Sequence, residues 1–345
     1  MSKDYIKKIV DDVDNAELGT EASVSNWAST GSYAINKIIS NSFVRGLPFN
    51  RVVEIFGDPS TGKSLLIYHL IANVQKMGGV AILDDTEDAY TPEFGKMIGI
   101  NNQELIRLSS LTVEEHFEKV FLGWKSKKKK NKDDEEDEGT KSKGKAKPSL
   151  VQMILDEEPN CLILVALDSL ALLSTKHEQT VLFEKPDMIK AKQIRAGLRM
   201  CSDIVKKNNI LHVISNHVTA KIGVLYGPKK TTPGGSGVPF QASVRLDLSL
   251  RGKILDGNEN AIGVQSKIHV AKNRISAPFK KAIVDIKFDR GVVKESGLYD
   301  VLLNSNTIQE EGADIKRGFF KYGEEQFRKS EFDAFLSTHK EILEK

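Results

Sequence analysis

The spacing of apolar residues changes period several times along the chain, and each change marks an element. Arg51-Val52-Val53-Glu54-Ile55-Phe56 reads as a short β-branched strand. Residues 65–77 then place Leu66, Leu70, Ile71, Val74 and Met77 at helical spacing and stop at Gly78-Gly79. Strand patterns recur over residues 80–83, 161–167, 210–215, 243–250, 266–272 and 282–288. Helical patterns fall at residues 92–98, 113–124, 190–207 and from 150 onward. Near the N-terminus, residues 3–13 put Ile6, Ile9, Val10 and Val13 on one side of a short helix, and a polar linker, residues 15–25, follows. A face that short must dock on the protein's own core or on a neighbouring copy. Ser29-Thr30-Gly31-Ser32 starts the next helix, which runs through Ile35, Ile38 and Ile39. The order of strands and helices predicts an α/β fold on an open sheet.

Between the first strong strand and its helix lies Gly57-Asp58-Pro59-Ser60-Thr61-Gly62-Lys63-Ser64, a complete G-x-x-x-x-G-K-[ST] pattern. Loop N–H groups and the helix N-terminus, from Leu65 on, suit a β-phosphate. Lys63 adds a charge for the β/γ oxygens, and the Ser64 hydroxyl is a Mg²⁺ ligand. The pattern predicts nucleoside-triphosphate binding. The run 161–167 closes on Asp168-Ser169, which fits the Walker B role, with Asp168 as the second Mg²⁺ contact. Residues 80–83 end in Asp84-Asp85-Thr86-Glu87-Asp88, carboxylates at the strand edge where open α/β sheets bind ligands. From the residues alone, Asp84, Asp85, Glu87 and Asp88 all qualify as a base.

Composition narrows the setting. Hydrophobic residues make up 40% of 345, enough for a real core, and the net charge of +3 neither demands nor forbids nucleic acid. The two cysteines, Cys161 and Cys201, stand apart without metal-ligand neighbours, which suggests buried thiols in a reducing compartment. Neither a signal peptide nor a membrane-spanning run is expected. Residues 125–148 form a basic, then acidic, then lysine-rich segment whose only apolar residue is Ala146. We read it as a disordered, solvated insertion, although its lysines also suit nucleic acid. Residues 221–239, rich in glycine, proline, threonine and lysine, make a loop long enough to suggest function or disorder.

Several stretches together resemble the bacterial RecA strand-exchange recombinase family. They are Lys221-Ile222-Gly223-Val224-Leu225-Tyr226-Gly227, residues 231–235, residues 240–247 and Lys272-Asn273-Arg274-Ile275-Ser276-Ala277-Pro278-Phe279, with Ser29-Thr30-Gly31-Ser32 and Gly46-Leu47-Pro48 upstream. The similarity runs over about residues 28–289 and continues weakly beyond. The chain length, the insertion and Asn216-His217 look more like a phage-encoded or divergent member.

The resemblance implies an α/β P-loop RecA-like ATPase core with a mostly parallel central sheet. It implies residues 1–27 as an N-terminal helix and linker for oligomerisation, 28–290 as the core, and 291–345 as a small α/β domain with a helix, a hairpin and a final helix. It selects Glu87 as the residue that activates water, places Phe94 against the adenine, and puts His217 where a glutamine senses the γ-phosphate. A core phenylalanine and a surface histidine are the plain alternatives for the last two. Lys272 and Arg274 would reach a neighbouring protomer's γ-phosphate, or else serve only as a charged strand edge. Residues 178–190 and 221–239 would be DNA-facing loops. There Met188 and Ile222 are apolar wedges, Lys221, Lys229 and Lys230 are cations, and Gly234 and Gly235 allow close backbone approach. The chain ends without the acidic tail of bacterial relatives, so autoinhibition by such a tail is not expected.

The function implied is a DNA-dependent ATPase, using ATP and Mg²⁺, that forms helical filaments on single-stranded DNA and pairs it with double-stranded DNA. It would act in the cytoplasm, associated with the nucleoid, with a loader and a single-strand-binding protein as further partners. Two other readings share the core: a ring helicase, and an ATP-bound recombination mediator or scaffold. Filaments against hexameric rings separate the first, and turnover with and without single-stranded DNA the second.

Overall fold

The computed structural model describes residues 4–13, 24–125, 146–181, 189–220, 230–310 and 315–344. Nine strands form the central sheet: β1 (Arg51–Gly57), β2 (Val80–Asp85), β3 (Leu105–Leu108), β4 (Ile163–Asp168), β5 (Ile210–Asn216), β6 (Val244–Leu255), β7 (Ala261–Asn273), β8 (Lys281–Lys287) and β9 (Gly291–Val292). Their spatial order is β9-β8-β7-β6-β1-β5-β4-β2-β3. From β3 across to β6 every pairing is parallel, and from β6 to β9 every pairing is antiparallel. The central strands β4 and β5 are buried along their whole length, as a sheet covered on both faces requires.

The helices are α1 (Asp4–Asp11), α2 (Tyr33–Ser40), α3 (Lys63–Lys76), α4 (Pro92–Ile98), α5 (Val113–Phe117), α6 (Leu150–Glu157), α7 (Lys176–Thr180), α8 (Ile189–Lys207), α9 (Gly237–Gln241), α10 (Leu298–Asn304) and α11 (Phe332–Thr338). On one face of the sheet, α2 and α3 bury Ile35, Ile39, Leu66, Leu70 and Ile71 in a cluster that also takes in Leu298, Leu302, Phe320, Phe332 and Phe335 from the C-terminal part. On the other face, Phe117, Phe121, Val151, Ile194 and Leu198 pack on Ile163, Val165 and Ile214. Each fully buried side chain of this size stabilises the fold by about 1.5–3 kcal/mol.

Most predicted elements appear at the expected places. Ser32 caps α2 by accepting from the Ile35 N–H, and Thr91 caps α4 with Pro92 in its first turn. Two expectations are corrected. The helix predicted over residues 113–124 is α-helical only to Phe117, becomes a π turn over Glu118–Leu122, and gives way to a strand at Trp124–Lys125. The returning chain stops it: the Lys147 carbonyl lies where a side chain on Gly123 would stand. The predicted strands 243–250 and 266–272 are too short, because β6 and β7 run on as an irregular hairpin to a turn at residues 256–260. Among the described residues no helix is long and apolar enough to cross a membrane.

Candidate nucleotide site

Four loops leave the C-terminal edge of the parallel strands side by side. They follow β1, β5, β4 and β2, which are neighbours in the sheet, and carry the glycine-rich loop, His217, Asp168-Ser169 and Glu87 respectively. Asp85 and Asp168 face each other in the β2–β4 register, so the two carboxylate-bearing strand ends are level. The sheet itself thus gathers residues distant in sequence at one edge.

The loop after β1 turns into α3 through Gly62, whose φ of 92° suits glycine. A Cβ there would also sit 2.3 Å from Ile286 Cδ1 of β8, and one on Gly57 would sit 2.1 Å from the Leu248 carbonyl oxygen. Lys63 is 7% exposed and donates to the carbonyls of Gly57 (3.1 Å) and Asp58 (3.0 Å). Burial draws its pKa down, against the nearby charges of Asp168, Glu87 and Asp58. A cavity of about 430 Å³ opens here, lined by Pro59, Ser60, Gly62, Lys63, Ser64 and Leu65 on one side and by Glu87, Asp168 and His217 on another.

Asp168 is 4% exposed and accepts a hydrogen bond from the Ser215 hydroxyl. Burial, with Glu87 and Asp85 close by, raises its pKa despite that bond and the Ser64 hydroxyl. A buried carboxylate whose charge is so poorly compensated, next to a serine hydroxyl, is a hard-oxygen pair that fits Mg²⁺, which takes one or two protein oxygens and completes its shell with phosphates and water. Glu87 is ionised more readily than an ordinary glutamate: burial pushes its pKa up, but Ser169, His217 and Lys63 together outweigh it. Its Oε1 lies 3.0 Å from His217 Nε2.

The third wall of the cavity comes from the antiparallel half of the sheet, through Val264, Ile286 and Phe288. Local sequence patterns gave no sign of it. Phe288 follows directly after β8 and is 51% exposed although apolar. Phe94 does not line the cavity. It is half-buried on α4, edge-on to Tyr68 with ring centroids 6.0 Å apart.

Lys272 and Arg274 do not stand free at a strand edge. Lys272 Nζ donates to the Pro239 and Phe240 carbonyls (2.8 and 3.0 Å), and Arg274 donates to the Phe240 carbonyl (3.0 Å), all at the end of α9. The short α9 lies a few residues beyond Gly234 and Gly235, whose φ values are 91° and 68°. Both glycines pack closely on α8, against Ile194 and Ala191. The backbone of Lys230 pairs with that of Ala220 in a two-residue ladder. Met188, Lys221, Ile222 and Lys229, and residues 126–145 of the charged insertion, lie outside the described residues.

Comparison with known proteins gives a consistent result. The family model for the RecA N-terminal domain matches residues 3–119 and 143–293, and the unmatched stretch between them takes in most of the charged insertion. Protein RecA of Rubrobacter xylanophilus is 31% identical over 320 residues, covering 92% of this chain and 81% of the relative. Protein RecA of Thermus aquaticus is 30% identical over 318 residues, covering 91% and 82%. Protein RecA of Rickettsia africae is 33% identical over 288 residues, covering 83% and 73%.

Proposed function

Because the chain belongs to the RecA family, we propose that it is an ATP-hydrolysing recombinase that assembles on single-stranded DNA and carries out homologous pairing and strand exchange. The observation that carries the hydrolytic part is the convergence of Lys63, Ser64, Glu87, Asp168 and His217 on one cavity at the edge of the parallel sheet. A protein that only held ATP as a scaffold would not need an ionised glutamate there. Matches on both sides of the insertion, through residue 293, weigh against a ring helicase.

In this reading the loop N–H groups and Lys63 would hold the phosphates, and Ser64 and Asp168 would hold Mg²⁺, whose chemistry is to neutralise phosphate charge. Glu87, kept ionised, accepts a proton from the attacking water. His217 hydrogen-bonds the Glu87 carboxylate and so would link the nucleotide site to the loop after β5. Phe288, exposed at the cavity wall, and Phe94 on α4 are the two aromatic rings offered to the base. Lys272 and Arg274 act on the neighbouring protomer's γ-phosphate, and Met188, Lys221, Ile222, Lys229, Lys230, Gly234 and Gly235 face DNA. Residues 1–27 serve assembly, 28–290 form the ATPase core and 291–345 a smaller lobe. The protein works in the cytoplasm on the nucleoid, with a loader and a single-strand-binding protein as partners.

The test is ATP turnover with and without single-stranded DNA, alongside strand exchange between homologous and heterologous duplexes. Wild type should show DNA-stimulated hydrolysis and exchange only homologous strands. Lys63→Ala should lose nucleotide-dependent assembly, and Glu87→Gln should assemble yet lose turnover by about 10²-fold or more. Hydrolysis at the wild-type rate in Glu87→Gln would overturn the assignment of the base.

A further inference from the structure

We propose that Arg107 is a positioning residue for ATP hydrolysis: it holds the turn that carries Glu87, and so fixes where the carboxylate meets water. The proposal rests on Glu87 being the base. Arg107 lies on the edge strand β3, opposite Leu83 of β2. Its guanidinium donates to Asp85 Oδ2 through Nε (3.3 Å) and Nη2 (2.9 Å), and Nη2 also reaches Asp88 Oδ1. The two carboxylates flank Glu87 on either side in sequence.

Asp85 is 2% exposed, and its oxygens also accept the backbone N–H groups of Ala89 (3.2 Å) and Tyr90 (3.0 Å). The segment from Asp85 to Tyr90 is therefore a closed turn around one buried carboxylate. At its tip, Asp88 has a left-handed φ of 53°, a conformation that a non-glycine residue holds only when its surroundings impose it. Arg107 supplies that restraint from one side. From the other, Thr86 is fixed to β4: its N–H donates to the Asp168 carbonyl (2.8 Å), and its hydroxyl donates to the Ser169 carbonyl (2.8 Å). Between these two anchors the Glu87 carboxylate meets His217 Nε2 (3.0 Å) and the Ser169 side chain, both on neighbouring strand ends, so its place depends on the backbone turn beneath it.

A planar guanidinium spanning two carboxylates fixes their separation in a way that a point charge cannot. It also compensates the buried Asp85 charge, which would otherwise lie uncompensated near Glu87. Arg107 itself touches neither phosphate loop nor cavity wall, so its loss should reach the rate and not the affinity.

The experiment measures DNA-stimulated ATPase and filament formation with a non-hydrolysable ATP analogue in full-length wild type, Glu87→Gln, Arg107→Ala, Arg107→Lys and Asp88→Asn. A displacement of about 1 Å typically costs about 10²-fold, so Arg107→Ala should lose about 10–100-fold in kcat. Its KM for ATP and its filaments should match wild type. Arg107→Lys should fall between the two, and Asp88→Asn, which alters an exposed side chain, should lose a few-fold in kcat at unchanged KM. Wild-type kcat in Arg107→Ala, or a parallel loss of KM and filaments, would overturn the proposal. Should Arg107→Ala fail to fold, Asp88→Asn decides, and an unchanged kcat there counts against the brace. Wild-type-like turnover in Glu87→Gln would instead remove the base assignment, and this proposal with it.

Discussion

Phe288 shows how a single side chain can belong to a site without any local signal. It is an exposed phenylalanine after a strand, and only the fold of β7 and β8 over the glycine loop brings it to the cavity. Base–aromatic stacking is worth about 1–3 kcal/mol, so Phe288→Ala should raise the KM for ATP by about tenfold while kcat stays within about twofold. Steady-state kinetics would check it. Lys63, Ser64 and Asp168 were legible because their signals are contiguous: a loop motif between strand and helix, and an apolar run closed by an acid. Glu87 stood among four acids, and only the family register singled it out. Arg107 was not legible at all, since an arginine on a short strand reads as a solvated edge. His69 makes a different kind of contribution. Its Nε2 accepts the Val292 N–H (2.9 Å), and burial, helped by the Lys76 charge, pulls its pKa down to about 4. Fully buried His212 is shifted the same way, first by burial and then by His116. Unfolded histidine titrates near about 6.5, so below that pH the unfolded chain takes up protons that the folded protein refuses. Stability is therefore fully present above about pH 6.5 and falls toward pH 4, by about 1.4 kcal/mol per pH unit for His69 alone. Urea unfolding at pH 7, 6 and 5 should show this loss, and His69→Gln, which keeps an acceptor without titrating, should make it shallower while the His212 contribution remains.

At the scale of elements, the charged insertion is framed by a small structure of its own. Trp124 pairs with Lys147 and Lys125 with Ala146, so the chain leaves and returns at adjacent points. Replacing residues 126–145 by a short glycine-serine turn should therefore leave ATPase and filament formation within about twofold of wild type, because closure cost changes slowly with loop length. A large loss of affinity for single-stranded DNA, read by fluorescence anisotropy, would instead make its lysines a DNA-binding arm. The same ladder explains the misread helix before it: the apolar spacing of residues 113–124 is helical, but the returning strand ends the helix at Gly123. The hairpin β6–β7 was underestimated for a related reason. Its inner half alternates buried and half-buried residues, whereas beyond Leu250 no residue of β6 is buried and register shifts interrupt the pairing, so no run of buried apolar positions is left to be read.

At the scale of the whole molecule, the in-trans role of Lys272 and Arg274 can be tested by mixing. Both cations are bonded to the end of α9 within one chain, so their use on a neighbour requires those bonds to be exchanged for phosphate contacts on assembly. Arg274→Ala and Glu87→Gln should each be nearly inactive. A one-to-one mixture should recover about a quarter of the wild-type DNA-stimulated rate, since a head-to-tail filament pairs one complementary orientation in four at random. No gain over the separate variants, with co-assembly verified, would exclude the shared site. The continuity of the core has a further consequence, in the order of synthesis. Leu298, Leu302, Phe320, Phe332 and Phe335 complete the same apolar cluster as α2 and α3, and Val292 closes on His69. These residues leave the ribosome about 10–60 s after the glycine loop, at about 5–20 residues per second. Until then the outer surface of α2 and α3 is a bare apolar face on a nascent chain. The helix that follows the glycine loop is thus made early but covered late, and for that interval its apolar face is the surface most exposed to aggregation.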